Sequence, residues 1–331
     1  MNGTANRTGL VVVTGANGFV GRALCAHLGA SSVRWRGLVR ALPSGAEPHL
    51  HGDHVETGDL ATAADDQLDA ALAGAAVVVH LAGRAHVLRD AADDPEAAYR
   101  AANVVATARL AHAAVRAGVE RFVYASTVKV NGESTAPGAA FRPDDPPAPR
   151  DPYARSKLEA ERELAGVCAR TSVVPLVLRL PLVYGPGVKG NFLALLDEIA
   201  RGRPLPLGRV RNRRSLLYVG NLVEAIEAAL RVEPPPRGVH FVADGESVSV
   251  PELLTAAGEA LRAPARLWPI PVPMLRLAGL LLGRRAAVER LTGSLEVDTS
   301  SFIAATGWRP RHSLQEGLAK TAAWWRVRHA I

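Results

Sequence analysis

The segment Tyr153-Ala154-Arg155-Ser156-Lys157 sets a phenol and an ammonium four residues apart, on one face of a helix and about one turn from each other. A neighbouring cation favours the phenolate. The spacing therefore predicts that Lys157 draws the Tyr153 pKa down from about 10 toward neutrality, so that the phenol can exchange a proton with a substrate oxygen. Upstream, Ser126-Thr127-Val128-Lys129 follows the apolar run 121–125. A hydroxyl at the carboxyl end of a central strand lies where open α/β sheets bind ligands, so Thr127 is expected to hold that oxygen beside Tyr153.

A second constellation stands near the start of the chain. Thr14-Gly15-Ala16-Asn17-Gly18-Phe19-Val20-Gly21 has glycines spaced G-x-x-G-x-x-G between an apolar β-branched run, 10–14, and a helix-like pattern, 19–28. Glycine suits a turn in which a pyrophosphate must approach backbone N–H groups at a helix N-terminus. An acidic residue at the end of the second strand would bind both ribose hydroxyls of NAD; here the strand ends Gly37-Leu38-Val39-Arg40. An arginine there suits the 2′-phosphate of NADP, which favours NADP(H) as the cofactor, with NAD(H) as the alternative.

The elements that must position these groups alternate. Runs at 10–14, 33–39, 76–81, 121–125 and 173–180 read as strands, with helical patterns at 19–28 and 95–118 between them. The alternation predicts an α/β fold: a Rossmann-like, doubly wound parallel sheet. Between 131 and 152 six prolines exclude regular structure, and a loop of that length inside a domain is usually functional. A helix is expected to start with Asp151 as N-cap and Pro152 as its first residue, and to run to about Ala169. The expected division is a dinucleotide-binding domain over 1–180, with a return segment at 212–246, and a smaller, mostly helical substrate lobe over 181–331. Helices are expected there at 192–201, 219–230, 251–261, 274–282 and 314–326, with a strand at 240–242.

With glycine turn, Ser/Thr and Tyr-x-x-x-Lys in this order, the chain resembles the extended short-chain dehydrogenase/reductase family, in its branch of nucleotide-sugar epimerases, dehydratases and reductases. The resemblance extends to Gly58-Asp59-Leu60, His80-Leu81-Ala82-Gly83, Asn103, Arg179-Leu180-Pro181-Leu182-Val183-Tyr184-Gly185-Pro186, Arg214-Ser215-Leu216-Leu217-Tyr218-Val219 and Gly307-Trp308-Arg309-Pro310. It implies that Gly15, Asn17, Gly18, Phe19, Val20, Gly21 and Arg40 bind the cofactor, with Asp59 and Leu60 at its adenine. Leu81, Ala82, Gly83, Asn103 and Pro181 complete the cofactor set. Tyr153 would be the acid/base, and Lys157 would bind the nicotinamide ribose while lowering the tyrosine pKa. Thr127, Lys129, Asn191, Phe192, Arg214 and Arg290 would contact substrate, Arg214 at its diphosphate. Dehydratases of the family carry Asp-Glu after the active-site threonine; Val128 and Lys129 stand there, which argues against dehydration. An asparagine frequent in epimerases is Leu182, and an aromatic usual before Gly132 is Asn131.

Two reactions remain under this resemblance. One is reduction of a UDP-4-keto-6-deoxy-N-acetylhexosamine by NADPH for surface polysaccharide, supported by Arg40 and by likeness to such reductases at 129–133, 144–149 and 183–189. The other is 4-epimerisation of a UDP-hexose, UDP-glucose or UDP-N-acetylglucosamine, with tightly held NAD. A non-catalytic NADP-binding sensor is the remote third, disfavoured because Tyr153 and Lys157 are both present.

Charge and composition set the outer bounds. With 48% hydrophobic residues and a formal charge of +7, disorder is excluded, while the basic balance invites a nucleic-acid reading. The arginines are scattered rather than gathered on a stripe, so no nucleic-acid partner is expected. Cys25 and Cys168 read as buried hydrophobes and not as a disulfide framework. The polar stretch 1–9 lacks a secretory pattern, and the apolar stretch 269–283 is broken and too short to cross a bilayer. The expectation is a cytoplasmic homodimer, paired through 95–118 and 151–169 on the family pattern, with no membrane insertion and no metal.

Overall fold

The structure is a computed structural model that describes residues 9–42, 53–85 and 93–329; the polar residues 1–8 lie outside it. In chain order the first half runs β1 (Leu10–Thr14), α1 (Phe19–Ala30), β2 (Trp35–Val39), β3 (Asp53–Glu56), α2 (Asp65–Leu72), β4 (Ala75–His80), α3 (Pro95–Tyr99), α4 (Ala106–Arg116), β5 (Arg121–Thr127), α5 (Pro152–Cys168) and β6 (Val174–Leu180). There follow β7 (Leu182–Tyr184), α6 (Gly190–Ala200), β8 (Pro204–Leu205), β9 (Leu216–Tyr218), α7 (Val219–Arg231), β10 (Gly238–Phe241), α8 (Val250–Leu261), β11 (Arg266–Leu267), α9 (Val272–Leu281), α10 (Arg285–Thr292), α11 (Ser300–Thr306) and α12 (Leu314–Arg328).

Seven strands form one sheet in the order β3-β2-β1-β4-β5-β6-β10, and every pairing in it is parallel. This is the doubly wound architecture expected, with the strand order reversing between β1 and β4. Alternation along the strands supplies two cores. Val11, Val13, Val77 and Val79 pack with Leu24, Leu28, Leu222 and Ile226 of α1 and α7, while Val12, Val78 and Phe122 pack with Leu68, Leu110 and Leu164 of α2, α4 and α5. Cys25 and Cys168 are buried and free, one in each core.

A third core lies beyond β6, where Phe192, Leu196, Leu253, Leu254, Leu318 and Trp325 join α6, α8 and α12. The strand expected at 240–242 is β10, and it pairs with β6, extending the main sheet by one edge. Three helices, α2, α10 and α11, were not anticipated. The 95–118 pattern is helical but not uniform, since a π-helical turn, Arg100–Val105, separates α3 from α4. Wide turns of this kind recur at functional sites, and this one carries Asn103.

The proline-rich stretch after β5 is irregular, as its composition requires. It is fixed at its ends: Ala148 N–H donates to Val130 at 2.9 Å, and bridges run from Thr135 to Ser294 and from Phe141 to Val297. Its exit is the predicted helix start, with the Asp151 side chain accepting from Ala154 N–H at 2.7 Å and Pro152 in the first turn.

Candidate active site

The reversal of strand order puts the carboxyl ends of β1 and β4 side by side, where such sheets bind ligands. The loop after β1 carries the glycines and the loop after β4 carries Leu81, Ala82 and Gly83. They touch: a Cβ on Gly15, whose φ is +66°, would lie 2.9 Å from the Ala82 nitrogen. A Cβ on Gly21 would meet the Gly15 carbonyl at 2.1 Å, so α1 can approach the loop only without one. The N-terminus of α1 has no side-chain cap and no acidic residue in its first turn, leaving its N–H groups and the positive end of its dipole for an anion. A dinucleotide diphosphate fits this cradle.

Asn103 closes the cradle from behind. Its side chain accepts from Arg84 N–H at 2.8 Å and donates to Ser156 Oγ at 2.9 Å, tying the β4 loop to α5. The Thr14 hydroxyl accepts from Ala82 N–H at 3.1 Å and meets His80 Nδ1 at 2.7 Å, while His80 Nε2 meets Thr107 Oγ1 at 3.0 Å. Burial, then the charge of Lys157, pulls the His80 pKa down to about 3, so the ring is a neutral strut between two hydroxyls.

Thr127 ends β5 and Tyr153 lies in the first turn of α5. The Thr127 side chain acts on the Tyr153 phenol as a hydrogen-bonding neighbour that favours its ionised form. Tyr153 is half-buried, with its ring 6.0 Å from that of Tyr99. The structure corrects the expected electrostatics: burial pushes the Tyr153 phenol up to about 12, and the Thr127 hydrogen bond only partly opposes it. Lys157 does not supply the expected pull because its ammonium faces the sheet, donating to the Tyr124 hydroxyl at 3.0 Å and the Ala125 carbonyl at 2.7 Å. Burial draws Lys157 down to about 7, against the opposing Glu161 carboxylate.

Glu161, one turn beyond Lys157, belongs to a buried network that the sequence did not single out. Arg179 donates to both of its oxygens, at 3.1 and 2.6 Å, and to Asn131 Oδ1 at 2.8 Å; Ser126 Oγ donates to Glu161 as well. Asn131 in turn donates to the Asp145 carbonyl at 3.3 Å. The residue in place of the usual aromatic thus clamps the proline-rich loop to β6 and α5.

Several expected ligand contacts are placed differently. Arg40 does stand at the end of β2, exposed, but 3.3 Å from the Asp59 carboxylate, so two expected cofactor residues are paired with each other. Leu60 and Pro181 are buried. Asn17 is exposed, and Phe19 and Val20 pack partly on the third core. Lys129, expected at substrate, is held by Asp151 at 2.6 Å and Glu133 at 3.2 Å. Asn191 is exposed at the start of α6, whereas Phe192 is buried and stacks on Tyr184 with ring centres 5.5 Å apart. An apolar ring beside a forming core is taken by that core, which removes its side chain from the substrate. Arg214 donates to the carbonyls of Arg290 at 2.8 Å and Gly293 at 3.0 Å, holding the end of α10. Arg290 itself lines a cavity of about 600 Å³ with Glu133, Arg150 and Arg276.

A dinucleotide cradle opposite a Thr-Tyr pair with an adjacent lysine is the arrangement of an enzyme of the short-chain dehydrogenase/reductase type. The chain belongs to the NAD dependent epimerase/dehydratase family, whose model matches residues 11–242. It is 38% identical over 313 residues to a UDP-glucose 4-epimerase of Vibrio cholerae, spanning 94% of each protein. It is 32% identical over 330 residues to a UDP-glucose 4-epimerase of Mycolicibacterium smegmatis, spanning 95% of this chain and 98% of that one. Among solved structures, MoeE5 in complex with UDP-glucuronic acid and NAD superposes with a TM-score of 0.76 at 28% identity, over 97% of this chain and 99% of MoeE5.

Proposed function

We propose that the protein is a nucleotide-sugar oxidoreductase acting at C4 of a UDP-linked sugar, in the direction of 4-keto reduction. The observation that carries the C4 chemistry is the Thr127–Tyr153 pair at the carboxyl end of β5, where Thr127 acts on the phenol's ionisation, next to a glycine cradle that fits a dinucleotide. A bound nicotinamide dinucleotide would supply the hydride chemistry. The chain supplies the proton path. With the phenol pushed up to about 12, Tyr153 is protonated at neutral pH and is a donor to a developing alkoxide, while Thr127 orients it. The two residues after Thr127 offer no acid for elimination: Val128 is buried and Lys129 is held by two carboxylates, which supports the reading against dehydration.

Arg40 at the end of β2, with no carboxylate on that strand end, supports NADPH and hence reduction. The second reading is 4-epimerisation with retained NAD. It is favoured by the two relatives named UDP-glucose 4-epimerase and by the NAD in MoeE5. A cytoplasmic homodimer paired through the 95–118 and 151–169 helices is part of the same proposal, and light scattering tests its size.

One experiment separates the two reactions. A UDP-4-keto-6-deoxy-N-acetylhexosamine is supplied with NADPH and cofactor consumption is followed; UDP-glucose and UDP-N-acetylglucosamine are then supplied without added cofactor and followed by NMR. Stoichiometric loss of NADPH is expected. Appearance of the C4 epimer without cofactor loss would replace reduction by epimerisation, and neither result with any UDP-sugar would overturn the C4 reading.

A further inference from the structure

The helix α9 carries one charged residue, the exposed Arg276, and is otherwise built of apolar and small residues. A surface helix normally turns charged and polar residues outward, and one that is apolar all round is ordinarily covered by something. The only buried residue of α9 is Gly279, packed so closely on Val288 of α10 that a Cβ would lie 2.6 Å from it. Met274, Leu277 and Leu280 are each more than half exposed, and Leu281 and Leu282 are 77% and 72% exposed. At 100° per residue, Met274, Leu277 and Leu281 fall within one narrow arc, with Leu280 beside it.

The charges around this face have one dominant sign. Between 272 and 292 the chain carries Arg276, Arg284, Arg285 and Arg290 against Glu289 as the one acid. Arg285 is paired with Glu289 at 2.7 Å, while Arg284 stands exposed in the turn next to Leu282. An apolar face rimmed by arginines complements a surface that offers anionic phosphates above an acyl layer. No helix among the described residues is long and apolar enough to cross a membrane. The ten residues of α9 span about 15 Å, so such a helix would lie in the interface rather than traverse it.

We propose that α9 and the α9–α10 turn form a docking surface for an anionic lipid bilayer. The leucines enter the boundary between headgroups and acyl chains, and the arginines hold the phosphates. Leu277, Leu280 and Arg276 also line the cavity that contains Arg290, so the docked face adjoins the cavity. Docking therefore seats the cavity next to the membrane surface.

The test is cosedimentation of the purified chain with phosphatidylcholine vesicles, with or without phosphatidylglycerol. The chain is expected to sediment with the phosphatidylglycerol vesicles, to stay in solution with phosphatidylcholine alone, and to be released by salt. The double variant Leu281→Glu, Leu282→Glu should lose at least tenfold in partitioning with an unchanged melting curve, and Arg284→Gln about fivefold. No sedimentation with anionic vesicles, equal sedimentation with neutral ones, or a double variant that binds like the parent would each overturn the proposal. So would a multimer, by light scattering, that the double variant dissociates, because the face would then be a contact between copies.

Discussion

The ammonium of Lys157 is hydrogen-bonded to the hydroxyl of Tyr124 at 3.0 Å. It also lies 4.3 Å from the centre of that ring, and Tyr124 stacks on the neutral His80 with ring centres 5.5 Å apart. The lysine expected to activate Tyr153 is thus anchored in the sheet. Burial draws its pKa to about 7, so near neutrality a large share of the side chain is uncharged.

The depressed lysine predicts a pH dependence of stability. Lys157 binds a proton below about 7 in the folded chain and below about 10.5 when unfolded. Between those values the unfolded state holds more protons, so this contribution to stability rises with pH across the window and is flat, at its least favourable, below it. Urea unfolding of the parent and of Lys157→Met from pH 7 to 10 isolates the effect. The parent should gain stability relative to the variant as pH rises; parallel curves would show that Lys157 is not depressed.

Tyr153→Phe removes the proton donor and little else, since the ring can keep its place against Tyr99. Turnover should fall by on the order of 10² to 10⁴, the usual range for a general acid. Cofactor affinity, measured by fluorescence titration, should stay within a few-fold of the parent. Retained turnover would take Tyr153 out of the chemistry.

Thr127→Val tests the hydrogen bond that opposes burial at Tyr153. Without it the phenol moves further up, and the substrate oxygen loses a partner. We expect kcat to fall about tenfold or more, with any alkaline limb of the rate profile moving to higher pH, consistent with the worth of a buried hydrogen bond. A change in KM alone would make Thr127 a binding residue without influence on the phenol.

The parts legible in the sequence were those written locally. The strand–glycine–helix unit, the start of α5 at Asp151 and Pro152, and the adjacency of Thr127 to Tyr153 follow from periodicity, capping chemistry and the site preference of open sheets. Partnerships set by packing were not legible. Tyr124 is 33 residues from Lys157 in the chain, and no local pattern links the two. The resemblance gives Lys129 and Phe192 to the substrate, and nothing local shows that Asp151 folds back on the first or that a third core absorbs the second. A signal did exist for the buried network: Glu161 lies one turn after Lys157 on the same helix face, and a carboxylate repeated at that spacing beside a strand arginine, Arg179, could have suggested their pairing.

Arg40→Asp tests cofactor choice. Exposed Arg40 is 3.3 Å from Asp59, so a 2′-phosphate would have to compete with that carboxylate for the guanidinium. If the arginine reads the phosphate, the substitution should shift the NADPH-to-NADH ratio of kcat/KM by about 10- to 100-fold toward NADH, the worth of a charge-assisted contact. An unaltered ratio would reduce Arg40 to a partner of Asp59 and leave NAD as the cofactor the cradle serves.

The pair Arg179–Glu161 is almost wholly buried, with side-chain exposures of 4% and 6%, and its partners reach Ser126 beside Thr127 and Asn131 in the proline-rich loop. Removing one ion from such a pair strands the other without solvent, a loss of about 3 to 5 kcal/mol, whereas replacing both by apolar residues of similar size is often close to neutral. Glu161→Leu and Arg179→Met should therefore each be strongly destabilising in urea unfolding, and the double variant should lose much less than their sum. Turnover gives the second readout. If the network holds α5 against β5 and β6 in register for Tyr153, the double variant should fold yet show lowered kcat at nearly unchanged cofactor affinity. Additive losses in stability would mean that the two charges do not depend on each other, and full turnover in the double variant would confine the network to folding.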